Sequence, residues 1–256
     1  MKATPVSTSL GPRLHPSPSV SPPPPLLELR EVHYAYPDGT LALRGVSLRL
    51  AQGEKVALVG LNGAGKSTLL LHLNGVLRST SGAVLVEGAP VSTATLRHIR
   101  ARVGLLFQDP DDQLFSPTVF DDVAFGPLHM GMAEGEVRAR VSRALEQVGM
   151  SGVERRMPHH LSLGQRKRVA LATVLAMDPV LLALDEPSAG LDPRARRGLI
   201  ALLRALPQAM LVATHDLAMV AEVFPRVIVL HEGQVAYDGP GAPLLADTAL
   251  LEQYGL

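Results

Sequence analysis

Apolar and polar positions alternate from Leu26 to Leu50, and the alternation breaks at Pro37-Asp38-Gly39, residue types that favour a tight turn. A period of two predicts half-buried strands, so this stretch reads as antiparallel strands joined by a hairpin. Lys55 to Val59 is a short apolar run that reads as a buried strand, and Thr68 to Leu73 reads as the start of a helix. Val84 to Glu87 and Val103 to Phe107 read as further strands. Between about residues 110 and 160 helical spacing takes over, at Val119 to Ala124 and Glu134 to Val148, with Gly126-Pro127 and Gly149 as breaks. Strand-length apolar runs return at Val180 to Leu184, Met210 to Ala213 and Val227 to Leu230, each after a helical stretch, the alternation of a parallel sheet. A hairpin and a short helix ending at Leu251-Glu252-Gln253 close the chain. The prediction is an α/β fold: a parallel-sheet core with an N-terminal antiparallel β subdomain and an inserted α-helical subdomain.

Composition narrows the function classes. The 24 basic and 24 acidic residues balance, which gives no global footprint for nucleic acid or anionic lipid. The absence of cysteine removes disulfides, Cys-ligated zinc and thiol catalysis together. The longest apolar runs, Val169 to Met177 and Val180 to Leu184, fall far short of the ~18 residues of a membrane span. Any work at a membrane is then that of a peripheral subunit. The first 25 residues hold eight prolines and five serines and read as a disordered tail, with too little to bury to offset the entropy of folding.

The segment Gly60-Leu61-Asn62-Gly63-Ala64-Gly65-Lys66-Ser67 joins the Lys55 to Val59 strand to the following helix and fits a phosphate-binding loop at every fixed position. Its glycines allow a sharp turn that brings backbone N–H groups against a β-phosphate, next to a helix N-terminus. Lys66 is placed to bridge the β- and γ-phosphates and the Ser67 hydroxyl to ligate Mg²⁺. Asn62, Ala64 and Thr68 belong to the same binding segment. Leu181-Leu182-Ala183-Leu184 then ends in Asp185-Glu186-Pro187. Ligands of parallel sheets bind beyond the carboxyl ends of the strands, so these carboxylates face the phosphate loop. Asp185 is placed to hold Mg²⁺ opposite Ser67, and Glu186 to polarise the attacking water as general base.

Shortly before that strand, Leu161-Ser162-Leu163-Gly164-Gln165 resembles the signature segment of ATP-binding cassette ATPases. Tyr36 resembles the aromatic that stacks on adenine, Gln108 the glutamine loop, Ser188-Ala189-Gly190-Leu191-Asp192 the D-loop, and Thr214-His215-Asp216 the switch histidine. The resemblance covers about residues 26–240, leaves 241–256 as a short helical extension, and implies a P-loop NTPase (RecA-like) core. It implies an ATP hydrolase in which two domains pair head to tail around two ATP molecules, as a homodimer or with a related ATPase. Ser162, Gly164 and Gln165 would then reach the ATP of the opposite subunit, and His215 would contact the γ-phosphate. Gln108 would join Ser67 and Asp185 at Mg²⁺ and take part in catalysis beside Glu186. Leu163 departs from the glycine of the commonest signature, a change expected to act on turnover.

Phe107-Gln108-Asp109-Pro110-Asp111-Asp112-Gln113-Leu114-Phe115, with Asp121-Asp122-Val123-Ala124-Phe125-Gly126-Pro127, resembles the energy-coupling-factor importers of the cobalt and nickel branch. Leu71-His72-Leu73-Asn74-Gly75 and Leu251-Glu252-Gln253-Tyr254-Gly255 point the same way. That likeness implies a transmembrane coupling protein and a substrate-capture membrane protein as partners, at the cytoplasmic face of the cell membrane, with no nucleic acid. A vitamin importer shares every one of these motifs. A soluble cassette ATPase would usually add a coiled-coil insertion or a second cassette. Asp109, Asp111 and Asp112 read as a solvated loop meeting the partner rather than a metal site. His159-His160 reads as a polar lead-in to the signature helix, because adjacent residues do not face one site together. Met130, Met132, Met150 and Met157 read as adaptable packing in the helical insert.

Overall fold

Strands β1 (Leu27–Ala35) and β2 (Leu41–Leu50) form the expected antiparallel hairpin, with Gly39 at φ +88° in its turn and the Thr40 N–H held by Asp38 Oδ1 at 2.9 Å. These observations come from a computed structural model that describes residues 24–256. The tail expected over residues 1–25 lies, but for its last two residues, outside the described residues. Next come β3 (Lys55–Val59) and α1 (Lys66–Leu73), then β4 (Ser81–Val86), β5 (Ala89–Pro90), α2 (Leu96–Arg102) and β6 (Val103–Leu106). Helices α3 (Val119–His129) and α4 (Glu134–Gln147) fill the insert, and α5 (Leu163–Leu175) returns the chain to the core. The remainder runs β7 (Leu181–Asp185), α6 (Pro193–Ala205), β8 (Ala209–Ala213), α7 (Leu217–Val223), β9 (Arg226–His231), β10 (Gln234–Pro240), α8 (Gly241–Ala246) and α9 (Thr248–Tyr254).

Two sheets result. The antiparallel one has the order β2-β1-β4-β5, and the other has the order β10-β9-β3-β8-β7-β6, parallel from β9 to β6 with β10 antiparallel at its edge. Successive side chains of a strand point to opposite faces, so a sheet covered on both sides reads as a continuous apolar run. Ala57 and Val59 of β3, Leu182 and Leu184 of β7 and Val227 and Val229 of β9 enter one core, against α3 to α7. Their neighbours Val56, Leu58, Leu181, Ala183, Ile228 and Leu230 enter a second core, with α1 and the antiparallel sheet. This alternation fixes the register, and with it which strand ends meet at the phosphate loop.

Three elements differ from expectation. α3 does not stop at Gly126-Pro127 but runs on to His129. A Cβ on Gly126 would lie 2.6 Å from the Met177 side chain, so the glycine allows close packing just beyond α5, and Pro127 comes too near the helix end to break it. α2 carries little apolar signal, since Ile99 is its one fully buried residue. The C-terminal region holds two short helices rather than one. No helix among the described residues is long and apolar enough to cross a membrane.

Candidate functional site

The loop from Gly60 to Lys66 passes from the end of β3 into α1. A Cβ on Gly60 (φ +148°) would stand 2.1 Å from the Leu230 carbonyl oxygen, and one on Gly65 (φ +102°) 2.5 Å from that of Ala42. Only glycine lets the loop lie this close to β9 and β2. Lys66 folds back so that its ammonium donates to Gly60 O at 2.7 Å and Leu61 O at 3.0 Å. Burial lowers its pKa, and the carboxylates of Glu186 and Asp185 partly restore it. A cavity of about 720 Å³ opens over the loop, within the size range of ligand pockets. Gly60, Asn62, Gly63, Gly65, Lys66, Ser67 and Thr68 all line it, and the buried Ala64 supports it from behind. Tyr36, just past β1, forms part of its rim, with its hydroxyl 2.8 Å from Thr68 Oγ1.

Gln108, Asp185, Glu186 and His215 reach the same cavity from the carboxyl ends of β6, β7 and β8. Asp185 Oδ1 is buried and has no hydrogen-bond partner. Burial pushes the Asp185 carboxyl above the ordinary carboxylate range, against the pull of the Ser67 hydroxyl and of Lys66 and Lys167. An orphaned carboxylate oxygen facing a serine hydroxyl suits a hard cation such as Mg²⁺, which takes oxygen ligands and uses one or two carboxylates plus phosphates. Glu186 sits at φ +42°, a left-handed backbone that costs a bulky residue on the order of 1–3 kcal/mol and persists only where neighbours enforce it. Its N–H donates to Ala213 O at 2.9 Å, and its carbonyl accepts from Ala189 N at 3.1 Å and Lys167 Nζ at 3.0 Å. Its carboxylate, nearly buried, meets His215 Nδ1 at 2.9 Å, while the His215 ring itself is exposed.

His215 is oriented by its neighbours. Asp216 caps α7 by accepting from Met219 N, and Arg196 of α6 grips it bidentately at 2.6 Å twice, with Ser188 of the D-loop region at 3.2 Å. Arg196 first, and the Met219 N–H as well, hold the Asp216 carboxyl below the usual range.

Ser162, Gly164 and Gln165 are not brought to this cavity. They line a separate hollow with Arg168, Asp192, Arg194, Ala195 and Gly198. Ser162 caps α5 in a reciprocal capping box with Gln165, whose side chain accepts the Ser162 N–H at 3.0 Å. Leu163 lies in the first turn of α5, and a Cβ on Gly190 would come within 3.0 Å of its side chain.

The remaining candidates take structural places. Asp109 caps a short 3-10 helix at Pro110–Asp112 and Asp111 pairs with Arg166 at 3.1 Å, so the acidic loop is tied to α5 rather than freely solvated. No group of three or more metal-capable His, Cys, Asp or Glu side chains is present among the described residues. His159 and His160 meet edge to face at the surface. Met150 is buried in the core, Met157 is exposed and Met130 lines a groove. Two anchoring residues escape the motif reading, Lys167 and Arg196, and Gln113 stands in a quoted motif without a role assigned to it. Gln113 accepts the Phe107 N–H and donates to Ala170 O and Thr173 Oγ1 of α5, fixing the segment that carries Gln108. A lysine and a glutamine set against buried apolar runs were the available signal.

A phosphate-binding loop at the end of a parallel strand, with paired carboxylates and a histidine beyond neighbouring strands, defines a P-loop nucleoside triphosphatase. The chain belongs to the ABC transporter family, whose model matches residues 43–189, and it is an ATPase subunit of that family. A Gloeobacter violaceus relative classed with ABC transporter ATP-binding proteins is 57% identical over 232 residues, 90% of this chain and 95% of its own. The energy-coupling factor transporter ATP-binding protein EcfA of Methanothermobacter thermautotrophicus is 48% identical over 90% of this chain and 76% of its own. Among solved structures, cbiO1 from Clostridium perfringens, part of the ABC transporter complex cbiONQ, superposes with a TM-score of 0.79 at 40% identity, covering 90% of this chain and 94% of that one. The dimeric, ADP- and Pi-bound cassette MJ0796 gives 0.76 at 27% identity, over 84% and 98%.

Proposed function

We propose that this chain powers an energy-coupling-factor importer for cobalt or nickel, working as one half of an ATP-closed dimer beneath membrane partners. One observation carries the reading of the ATPase cycle. Gln108, Asp185, Glu186 and His215 converge on the phosphate loop, while Ser162 and Gly164 face outward from a second hollow. A site divided in this way is completed when two cassettes, either two copies or a copy and a related ATPase, pair head to tail. Ser162 and the Gly164 N–H at the start of α5 would then close on the other subunit's γ-phosphate.

Within one chain, Tyr36 would stack on adenine, and the loop N–H groups from Asn62 to Thr68 with Lys66 would hold the phosphates. Glu186 would take the proton of the attacking water through the carboxylate that now meets His215. His215 would hold the γ-phosphate and that carboxylate in register. Ser67, Asp185 and Gln108 would hold Mg²⁺, which when bound supplies charge neutralisation at the β- and γ-oxygens.

The coupling surface would be the groove between Gln108's segment and the insert. It is lined by Leu96, Phe107, Phe115, Phe125 and Met130, has a volume of about 680 Å³, and leaves Phe115 67% exposed. Large exposed apolar groups in a groove rimmed by Arg97, Arg100 and Asp112 suit a short helix from a transmembrane coupling protein. The chain would then sit peripherally at the cytoplasmic face of the membrane. The cobalt or nickel assignment rests on the Phe107 to Phe115 and Asp121 to Pro127 segments, and the EcfA likeness supports the importer class. Purification of the tagged chain from detergent-solubilised membranes of its own cells, with identification of what accompanies it, tests the reading. A coupling membrane protein with a substrate-capture protein that binds Co²⁺ or Ni²⁺ is the expected outcome. A vitamin-binding capture protein would change the cargo, and recovery only as a soluble chain would overturn the transport reading.

A further inference from the structure

We infer that Lys167 is a positioning residue that sets the Glu186 carboxylate for hydrolysis and links it mechanically to the signature helix of the same chain. This rests on the sandwich reading above. Lys167 lies on α5, five residues beyond Ser162, about 8 Å along the helix axis. The start of α5 therefore faces the hollow where the partner's ATP would sit, while Lys167 reaches inward to this chain's own site.

The geometry is specific. Lys167 is 5% exposed, and its ammonium donates to the backbone carbonyl of Glu186 at 3.0 Å rather than to a carboxylate. Glu186 stands at positive φ, so its side-chain direction depends on what holds the peptide groups on either side. Ala213 O fixes its N–H, and Ala189 N and Lys167 Nζ fix its carbonyl. Two of these three anchors are neighbouring backbone. Among the described residues Lys167 is the one side chain that anchors these peptide groups, and it comes from the signature helix; the carboxylate beyond them meets His215 Nδ1 at 2.9 Å and the His215 N–H at 3.4 Å. Burial pushes its pKa down, and the carboxylates of Glu186, Asp109 and Asp185 oppose that shift. The same helix also receives Gln113, which anchors Phe107 beside Gln108. A small displacement of α5 on closing over the partner's nucleotide would reach Glu186 through Lys167.

The test is a double-mutant cycle on the full chain, with ATP turnover read by release of labelled phosphate. Lys167→Met should lower kcat about tenfold or more and leave KM for ATP within about twofold, because the nucleotide contacts are untouched. In the Glu186→Gln background the same change should cost less than about twofold, since the carboxylate it positions is already gone. ATP-driven dimerisation of Glu186→Gln should persist with and without Lys167. If Lys167→Met fails to fold, Lys167→Leu, which also lacks a donor, enters the same cycle with the same expectations. Equal losses in both backgrounds, or no loss in either, in a chain that does dimerise would overturn this proposal alone. Failure of ATP to dimerise Glu186→Gln would overturn the sandwich reading and with it the linking role.

Discussion

Glu186 illustrates how backbone conformation sets where a side chain emerges. A glutamate in left-handed conformation is unfavourable in isolation, yet here β8 and α5 hold both its peptide groups and its carboxylate emerges against His215. Leu163 is the residue-scale departure from the family pattern. Its side chain fills the space beside Gly190 in the D-loop, so it couples the first turn of α5 to the segment before α6. Leu163→Gly should change the rate of hydrolysis more than ATP affinity, and titration with a fluorescent nucleotide beside steady-state turnover checks it. An unchanged rate with altered affinity would contradict the coupling. That the phosphate-loop residues line one cavity was legible in the sequence, because the motif's spacing places them on one strand-to-helix turn. The Lys167 contact was not, since it is made to a backbone carbonyl 19 residues away.

At the scale of elements, the hairpin is clamped across its strands by charge as well as by packing. Glu28 of β1 stands opposite Arg49 of β2 and bonds both Arg49, at 2.7 Å, and Arg30, at 2.6 Å. Arg30 first and then Arg49 pull the Glu28 carboxyl down to about 2 from its ordinary 4.5. A carboxylate held below its unfolded value contributes stability that is complete above about 4.5 and is lost as pH falls toward about 2. Thermal melting followed from neutral to acid pH should therefore fall across that window, and Glu28→Gln should flatten this part of the fall. An identical acid limb in the variant would remove the clamp from the account. The strands were the most legible elements, because β3, β7, β8 and β9 are buried on both faces and show as bare apolar runs. α2 was illegible for the opposite reason: its sequence presents almost no apolar stripe. The extension of α3 through Gly126-Pro127 followed from tertiary packing against Met177, which local propensity does not see.

For the whole molecule, one helix organises the site. α5 starts in the outward hollow at Ser162, grips Glu186 through Lys167, ties the acidic loop through Arg166 and receives Gln113 beside the apolar groove. In the proposed cycle, nucleotide state, partner contact and membrane coupling would all meet elements bonded to α5, a physical route from ATP to the groove. The proposed division of the site between two surfaces of one chain was not legible from spacing and came from the family resemblance; what the structure adds is that Ser162 and Gly164 line a hollow separate from the phosphate loop.

The most direct test of the central claim is sedimentation of the Glu186→Gln chain with and without Mg²⁺–ATP, alone and combined with Ser162→Arg. The account predicts a monomer that ATP converts to a dimer, and the loss of that dimer in Ser162→Arg while each chain still binds ATP. A chain that stays monomeric at saturating ATP, or a dimer indifferent to Ser162→Arg, would contradict it.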